Sequence, residues 1–83
     1  MQLRSEGITW REIDGELVIL DTERSVYLTT NASGSFLAKL LTAERSGDEL
    51  AEALVSHYGI DRAAAEADVA SFLAELRAKD LLR

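Results

Sequence analysis

Few residues of this chain could do chemistry, and their spacing does not assemble a catalytic site. The single histidine, His57, lies beside Tyr58 on the predicted surface of a helix. Nucleophilic catalysis needs a base in contact with a Ser, Thr or Cys, and one histidine cannot build a metal site. The remaining candidates are turn carboxylates, which solvation explains more simply than general acid–base catalysis does. These are Glu12, Asp14, Glu16, Asp21 and Glu23.

A short polar segment, residues 31–35 (NASGS), precedes a predicted helix. It lacks the two spaced glycines and the lysine of a P-loop, so Asn31 is better interpreted as a helix N-cap. We therefore expect a protein that is not an enzyme and that uses no cofactor and no metal ion.

The strongest functional signal is a strand without charge. The strand predicted over residues 25–30 carries no charged residue, whereas the strand over residues 8–13 carries Arg11 and Glu12. Exposed strand edges are usually guarded by charge, proline or a bulge, because their unpaired N–H and C=O groups recruit other extended chains. The unguarded strand therefore predicts a site that binds a peptide by strand addition.

Composition limits the alternatives. The chain has 83 residues, no cysteine and a formal net charge of -6, which fits one small domain in a reducing compartment. A negative field repels nucleic acid phosphates and favours basic partners. The sequence has no signal-peptide pattern and no apolar run long enough to cross a membrane. A cytoplasmic protein is expected.

The predicted elements are a three-stranded meander followed by three helices, which is an α+β, winged-helix-like arrangement in a single domain over residues 1–83. We expect strands at about 8–13, 16–21 and 25–30, and helices at about 32–42, 47–58 and 62–79. Asp14-Gly15 predicts a hairpin turn, Ser46 and Glu49 predict a capping box, Gly59 a C-cap and Asp61 a further N-cap. The helices are expected to pack on one face of the sheet.

The predicted site is a cleft between the third strand and the third helix, with Val26 and Leu28 pointing inward. A helical wheel places Asp68, Phe72, Glu75 and Lys79 on one shoulder of the apolar stripe of the helix, and Glu66, Ala70 and Arg77 on the other. The sequence leaves open which shoulder faces the cleft. Carboxylates there would select a peptide bearing Lys or Arg.

A winged helix also raises the alternative of a DNA-binding regulator, in which the third helix would enter the groove. Acidic residues outnumber basic ones along that helix, which disfavours contact with phosphates. From residue 61 to residue 80 they are Asp61, Glu66, Asp68, Glu75 and Asp80 against Arg62, Arg77 and Lys79.

Several motifs, in order, resemble the PqqD-like proteins, also called RiPP recognition elements, over about residues 8–82. They are the segment from Tyr27 to Asn31 with Gly34, the run from Leu54 to Gly59, and the pairs Asp68-Val69, Phe72-Leu73 and Leu81-Leu82. The chain departs from the family at Thr30, where an apolar residue is often found, and at Asp80, where Gly is common.

The resemblance implies a module that binds the leader segment of a ribosomally made precursor peptide as an added strand on its third strand. The chain looks most like the stand-alone B1 proteins of lasso peptide biosynthesis. That subgroup implies delivery to a transglutaminase-like leader peptidase, the B2 protein, and possible contact with a cyclase. No nucleic acid or membrane partner is implied.

By position, the resemblance places seven residues at the peptide site: Val26, Tyr27, Leu28, Thr29, Asp68, Phe72 and Leu76. Val26→Pro is expected to weaken peptide binding, because proline removes a backbone N–H. The alternative within the family is a PqqD-type peptide chaperone whose partner is a radical enzyme of pyrroloquinoline quinone synthesis.

Overall fold

The computed structural model describes all residues, Met1–Arg83. Three strands form one antiparallel sheet in the order β1-β2-β3, and three helices follow. The strands are β1 (Ile8–Ile13), β2 (Glu16–Asp21) and β3 (Val26–Thr29). The helices are α1 (Ala32–Leu40), α2 (Gly47–Tyr58) and α3 (Arg62–Ala78). The α+β order predicted from the sequence is confirmed.

Turns and caps fall at the predicted residues. Asp14 and Gly15 have φ values of 53° and 80°, as the tight turn between β1 and β2 requires. Asn31 Oδ1 accepts a hydrogen bond from Gly34 N at 2.9 Å and begins α1. The reciprocal capping box of α2 is present, since Ser46 N donates to Glu49 Oε1 and Glu49 N donates to Ser46 Oγ. These local interactions define where the elements start.

Other element boundaries differ from the prediction by one or two residues. β3 starts at Val26 rather than Ser25, because Ser25 has a φ of 56° and cannot continue an extended strand. Asp61 caps α3 as predicted, with Oδ1 accepting from Ala64 N at 2.8 Å. α1 ends at Leu40 and α3 at Ala78, where Leu41 and Lys79 take the C-cap positions.

The core lies between the inner face of the sheet and the helices. Leu17, Ile19 and Asp21 of β2 are buried, whereas Leu20 points to the open face. α1 packs on β2, α2 packs on α1, and α2 and α3 pack on each other. The expectation that all three helices lie directly on the sheet therefore holds in full only for α1, the helix nearest in sequence.

The two residues that depart from the family pattern are accommodated locally. Thr30 is buried, and its hydroxyl lies 3.2 Å from both Leu17 N and Leu17 O and 3.0 Å from Ser35 Oγ, so no polar atom is left without a partner. Asp80 has a φ of 54°, which is the left-handed region that favours glycine. That backbone geometry explains why glycine suits position 80.

Asp21 connects the sheet to both ends of the chain. Its carboxylate is fully buried and accepts hydrogen bonds from Glu23 N at 3.1 Å and Arg24 N at 3.2 Å. Arg4 Nη1 lies 3.3 Å from Asp21 Oδ2 and donates to the carbonyl of Asp80 at 2.7 Å. Burial raises the pKa of Asp21, but the backbone hydrogen bonds and the Arg4 charge outweigh it, so the pKa lies below its ordinary value of 3.8.

Gly34→Ala tests the close approach of α1 to the end of β3. An added methyl group at this position would lie 2.8 Å from Thr30 Cβ and 3.4 Å from the Phe72 ring. We expect the variant to lose about 1–3 kcal/mol of unfolding free energy through overpacking, measured by urea denaturation. Gly47→Ala is the matched control, because its methyl group would meet only Met1 Cε at 4.0 Å, and it should be neutral or stabilising. Equal effects of the two changes would contradict the packing argument.

Asp21→Asn tests the buried carboxylate through pH. Because the folded-state pKa is lowered, ionised Asp21 stabilises the fold above pH 3.8, and that contribution is lost as pH falls through the folded-state pKa. The variant should unfold at a lower temperature at neutral pH and lose less stability than the wild type on acidification. Asp14→Asn, at an exposed turn residue, is the control for thermal unfolding. A parallel pH profile for wild type and Asp21→Asn would refute the role assigned to this carboxylate.

Candidate functional site

β3 is an edge strand whose outer backbone groups have no partner in the sheet. The sheet order leaves β2 as its only neighbour, and the register pairs Ile19 with Leu28 and Asp21 with Val26. Thr30 N donates to Leu17 O at 2.8 Å, so that pair is a hydrogen-bonded one. Hydrogen-bonded and non-bonded pairs alternate along an antiparallel ladder. Val26 and Leu28 therefore bond to β2.

The alternation directs the backbone groups of Tyr27 and Thr29 to the open edge. The pairing of β2 with β1 agrees with this alternation. Thr22 N, just after β2, donates to Gly7 O at 2.9 Å on the β1 side, whereas Leu17 bonds on the β3 side. An added strand would thus receive its hydrogen bonds from Tyr27 and Thr29. Val26→Pro, the change suggested by the sequence, is a poor test, since it would remove a hydrogen bond inside the sheet.

The two edges of the sheet differ in charge as expected from the sequence. On β1, Glu12 is paired with Lys39 of α1 at 2.7 Å, and Arg11 is exposed. On β3, Tyr27 is 64% exposed and no residue is charged. The unguarded edge is therefore β3.

An open groove of about 520 Å³ follows this edge. Five of its six lining residues are consecutive, from Ser25 through Thr29, and the sixth is Lys79 at the end of α3. Leu28 is buried, Val26 is half-buried, and Tyr27 and Thr29 are exposed. The groove offers apolar side chains on its inner side and free backbone on its outer side.

Two contacts connect α3 with the segments that flank β3 in the sequence. Asp80, just after α3, forms an ion pair with Arg24, just before β3. Further along, the Phe72 ring lies beside Gly34 at the start of α1. These contacts fix the end and the middle of α3 to segments on either side of β3 in the sequence, while the body of the helix packs on α2.

The structure decides which shoulder of α3 faces β3. Lys79 lines the groove, so this is the shoulder that also carries Asp68, Phe72 and Glu75. Ala70 and Arg77, on the opposite shoulder, line a separate depression with residues of α2.

The seven residues placed at the site by resemblance occupy different positions. Val26, Tyr27, Leu28 and Thr29 line the groove. Phe72 is 8% exposed and Leu76 is 0% exposed; both belong to the buried face of α3, and neither lines the groove. Asp68 is exposed one turn before Phe72 and does not line the groove. Lys79 lines the groove and is not one of the seven residues; its position on the helical wheel is the sequence signal that points to it.

Two residues weighed as possible functional groups, His57 and Asn31, make packing or capping contacts. His57 stacks on Phe36 with ring centroids 4.4 Å apart, and Asn31 serves as the N-cap of α1. No group of three or more His, Cys, Asp or Glu side chains is positioned to hold a metal ion. None of the three helices has the length and apolar character that crossing a membrane requires.

Residues 16–82 match the protein family described as coenzyme PQQ synthesis protein D (PqqD). Since the match takes in more than half of the sequence, the chain belongs to the PqqD family. The predicted family resemblance is confirmed. A separate comparison with curated proteins found no match.

Two solved structures are similar over nearly the whole chain. TbiB1 in complex with the TbiA(beta) leader peptide has 31% sequence identity and a TM-score of 0.86, over 100% of this chain and 95% of that one. A lasso peptide synthetase B1 complexed with the leader peptide has 26% identity and a TM-score of 0.80, over 96% of this chain and 93% of that one.

Thr29→Pro tests whether the free edge of β3 pairs with a peptide. Proline removes the outward N–H of residue 29 without breaking a bond to β2, so a strand-adding peptide should bind about tenfold more weakly. Calorimetric titration with a leader peptide measures this, and Thr29→Val, which keeps the N–H, is the control. Unchanged affinity in a folded Thr29→Pro variant would rule out pairing at this position.

Proposed function

We propose that this protein binds the leader segment of a ribosomally synthesised precursor peptide by adding it as a strand to β3, without catalysing a reaction itself. The single observation that carries the proposal is the open edge, where Tyr27 and Thr29 present unpaired backbone groups beside an apolar groove. Backbone pairing supplies affinity, and the side chains along the groove supply selectivity. Family membership and the two similar B1 structures support the same function.

The finer proposal is a role in lasso peptide maturation. Both similar structures are B1 proteins with a leader peptide. Each match takes in more than nine-tenths of this chain and more than nine-tenths of the other chain. By this proposal the protein presents the precursor to a separate leader peptidase of the transglutaminase-like B2 type in the cytoplasm, and a cyclase acts later. By this proposal Val26, Tyr27, Leu28 and Thr29, which line the groove, contact the leader.

The description of the family favours a second candidate, a PqqD-type peptide chaperone for a radical enzyme of pyrroloquinoline quinone synthesis. The same groove would serve that function, so the two candidates differ in the partner enzyme rather than in the mode of binding. Neighbouring genes separate them: a peptidase and an asparagine synthetase-like cyclase favour the first, and a radical S-adenosylmethionine enzyme favours the second.

Calorimetric titration with a synthetic leader peptide of the neighbouring precursor gene tests the function directly. We expect saturable binding of one leader peptide per chain and no binding of the leader-free core peptide, because the groove has room for one added strand. Delivery is measured separately, as leader cleavage by the neighbouring peptidase with and without this protein. Binding without faster cleavage would leave recognition intact and contradict delivery, whereas equal binding of leader and core would contradict both.

A further inference from the structure

Lys79 is the one residue outside the run from Ser25 to Thr29 that lines the groove, and its charge has no partner. The residue is half-buried beside Ser25–Thr29. None of the seven ion pairs of the structure includes it. The chain has 15 Asp and Glu residues against nine Lys and Arg, so a lysine left without a carboxylate is not explained by a shortage of acids.

The carboxylates nearest in sequence do not neutralise Lys79. Asp80 is engaged by Arg24, and its backbone carbonyl accepts from Arg4. Glu75, one turn earlier on the same shoulder of α3, is exposed and forms no ion pair with Lys79. The groove therefore has a positive charge at one end, within a protein whose overall charge is negative.

The ion pair between Arg24 and Asp80 identifies that end as the start of β3, near Val26. The opposite end of the groove lies at Thr29, the last residue of β3. Side chains of an added strand alternate between the two faces of the sheet. A peptide side chain directed inward beside Val26 would meet Lys79, and the inward side chain two residues away would meet Leu28.

We infer that Lys79 selects leader segments that carry an Asp or Glu two residues from the apolar residue seated beside Leu28. This inference rests on the proposed function, since it assigns charge selectivity to the same groove. A preference for basic peptide side chains depended on carboxylates lining the cleft, whereas the charged residue that lines this groove is Lys79. A carboxylate beside Lys79 fixes the register of the peptide, because a shift by one residue would turn it to the other face.

A charge scan of the leader peptide tests the inference. Each position of the bound segment of the neighbouring precursor's leader is replaced in turn by Glu and by Lys, and affinities are measured by calorimetry. At one position the wild-type protein should prefer Glu over Lys by about three- to fivefold, the range of a partly exposed ion pair. Lys79→Glu should reverse that preference, and added salt should reduce it.

Arg77→Glu is the matched control. It makes the same change of charge two residues away, on the opposite shoulder of α3, where Arg77 lines the depression shared with α2. The preference for Glu at the selected peptide position should persist in this variant. Circular dichroism and thermal unfolding establish that both variants are folded.

The outcomes separate this inference from the proposed function. Failure of the wild-type protein to bind any leader peptide would overturn the function and the inference together. Binding of the leader with no position that distinguishes Glu from Lys would overturn the inference alone. A preference that survives Lys79→Glu, or that Arg77→Glu abolishes equally, would also overturn it while leaving strand addition in place.

Discussion

The buried carboxylate of Asp21 holds together the parts of the protein that form the groove. It closes the turn between β2 and β3 by accepting from the backbone of Glu23 and Arg24, and it pairs with Arg4. Arg4 in turn binds the carbonyl of Asp80, so one charged group orients the start of β3 relative to the end of α3. A buried charge is tolerated only when it is paired and hydrogen-bonded, and here every buried side-chain polar atom has a partner.

An unguarded edge carries a risk of association with other chains, and this fold limits that risk by length rather than by charge. β3 has four residues, and short edge strands offer few backbone groups to a non-specific partner. Its start is limited by the left-handed backbone of Ser25 and its end by the buried Thr30. The few backbone hydrogen bonds that such a short strand can form do not distinguish one extended peptide from another. A ligand must therefore also supply side chains that fit the groove.

The local features of this fold could be predicted from the sequence, because each depends on residues close together in the chain. The Asp14-Gly15 turn, the caps at Asn31, Ser46 and Asp61, and the unguarded third strand required no tertiary information. Which backbone groups of β3 are free depends on its register with β2. The hydrogen bond from Thr30 N, just after β3, to Leu17 O identifies that register. Likewise, helical periodicity placed Lys79 on a shoulder of the apolar stripe that contains Leu76, but it could not tell that Leu76 is covered and that Lys79 lines the groove.

Recognition through a strand edge suits a domain of this size for a physical reason. A chain of 83 residues buries only about 60–65% of its unfolded surface, so an enclosed ligand cavity would remove contacts from an already small core. The edge of β3 needs no cavity, because its outward backbone groups have no partner in the sheet and are open to solvent, and the neighbouring Leu28 side chain already belongs to the core. The protein can thus gain a binding site while keeping Ile19, Leu28 and Phe72 packed. Side chains at the margin, with Lys79 foremost, remain free to determine which peptide is accepted.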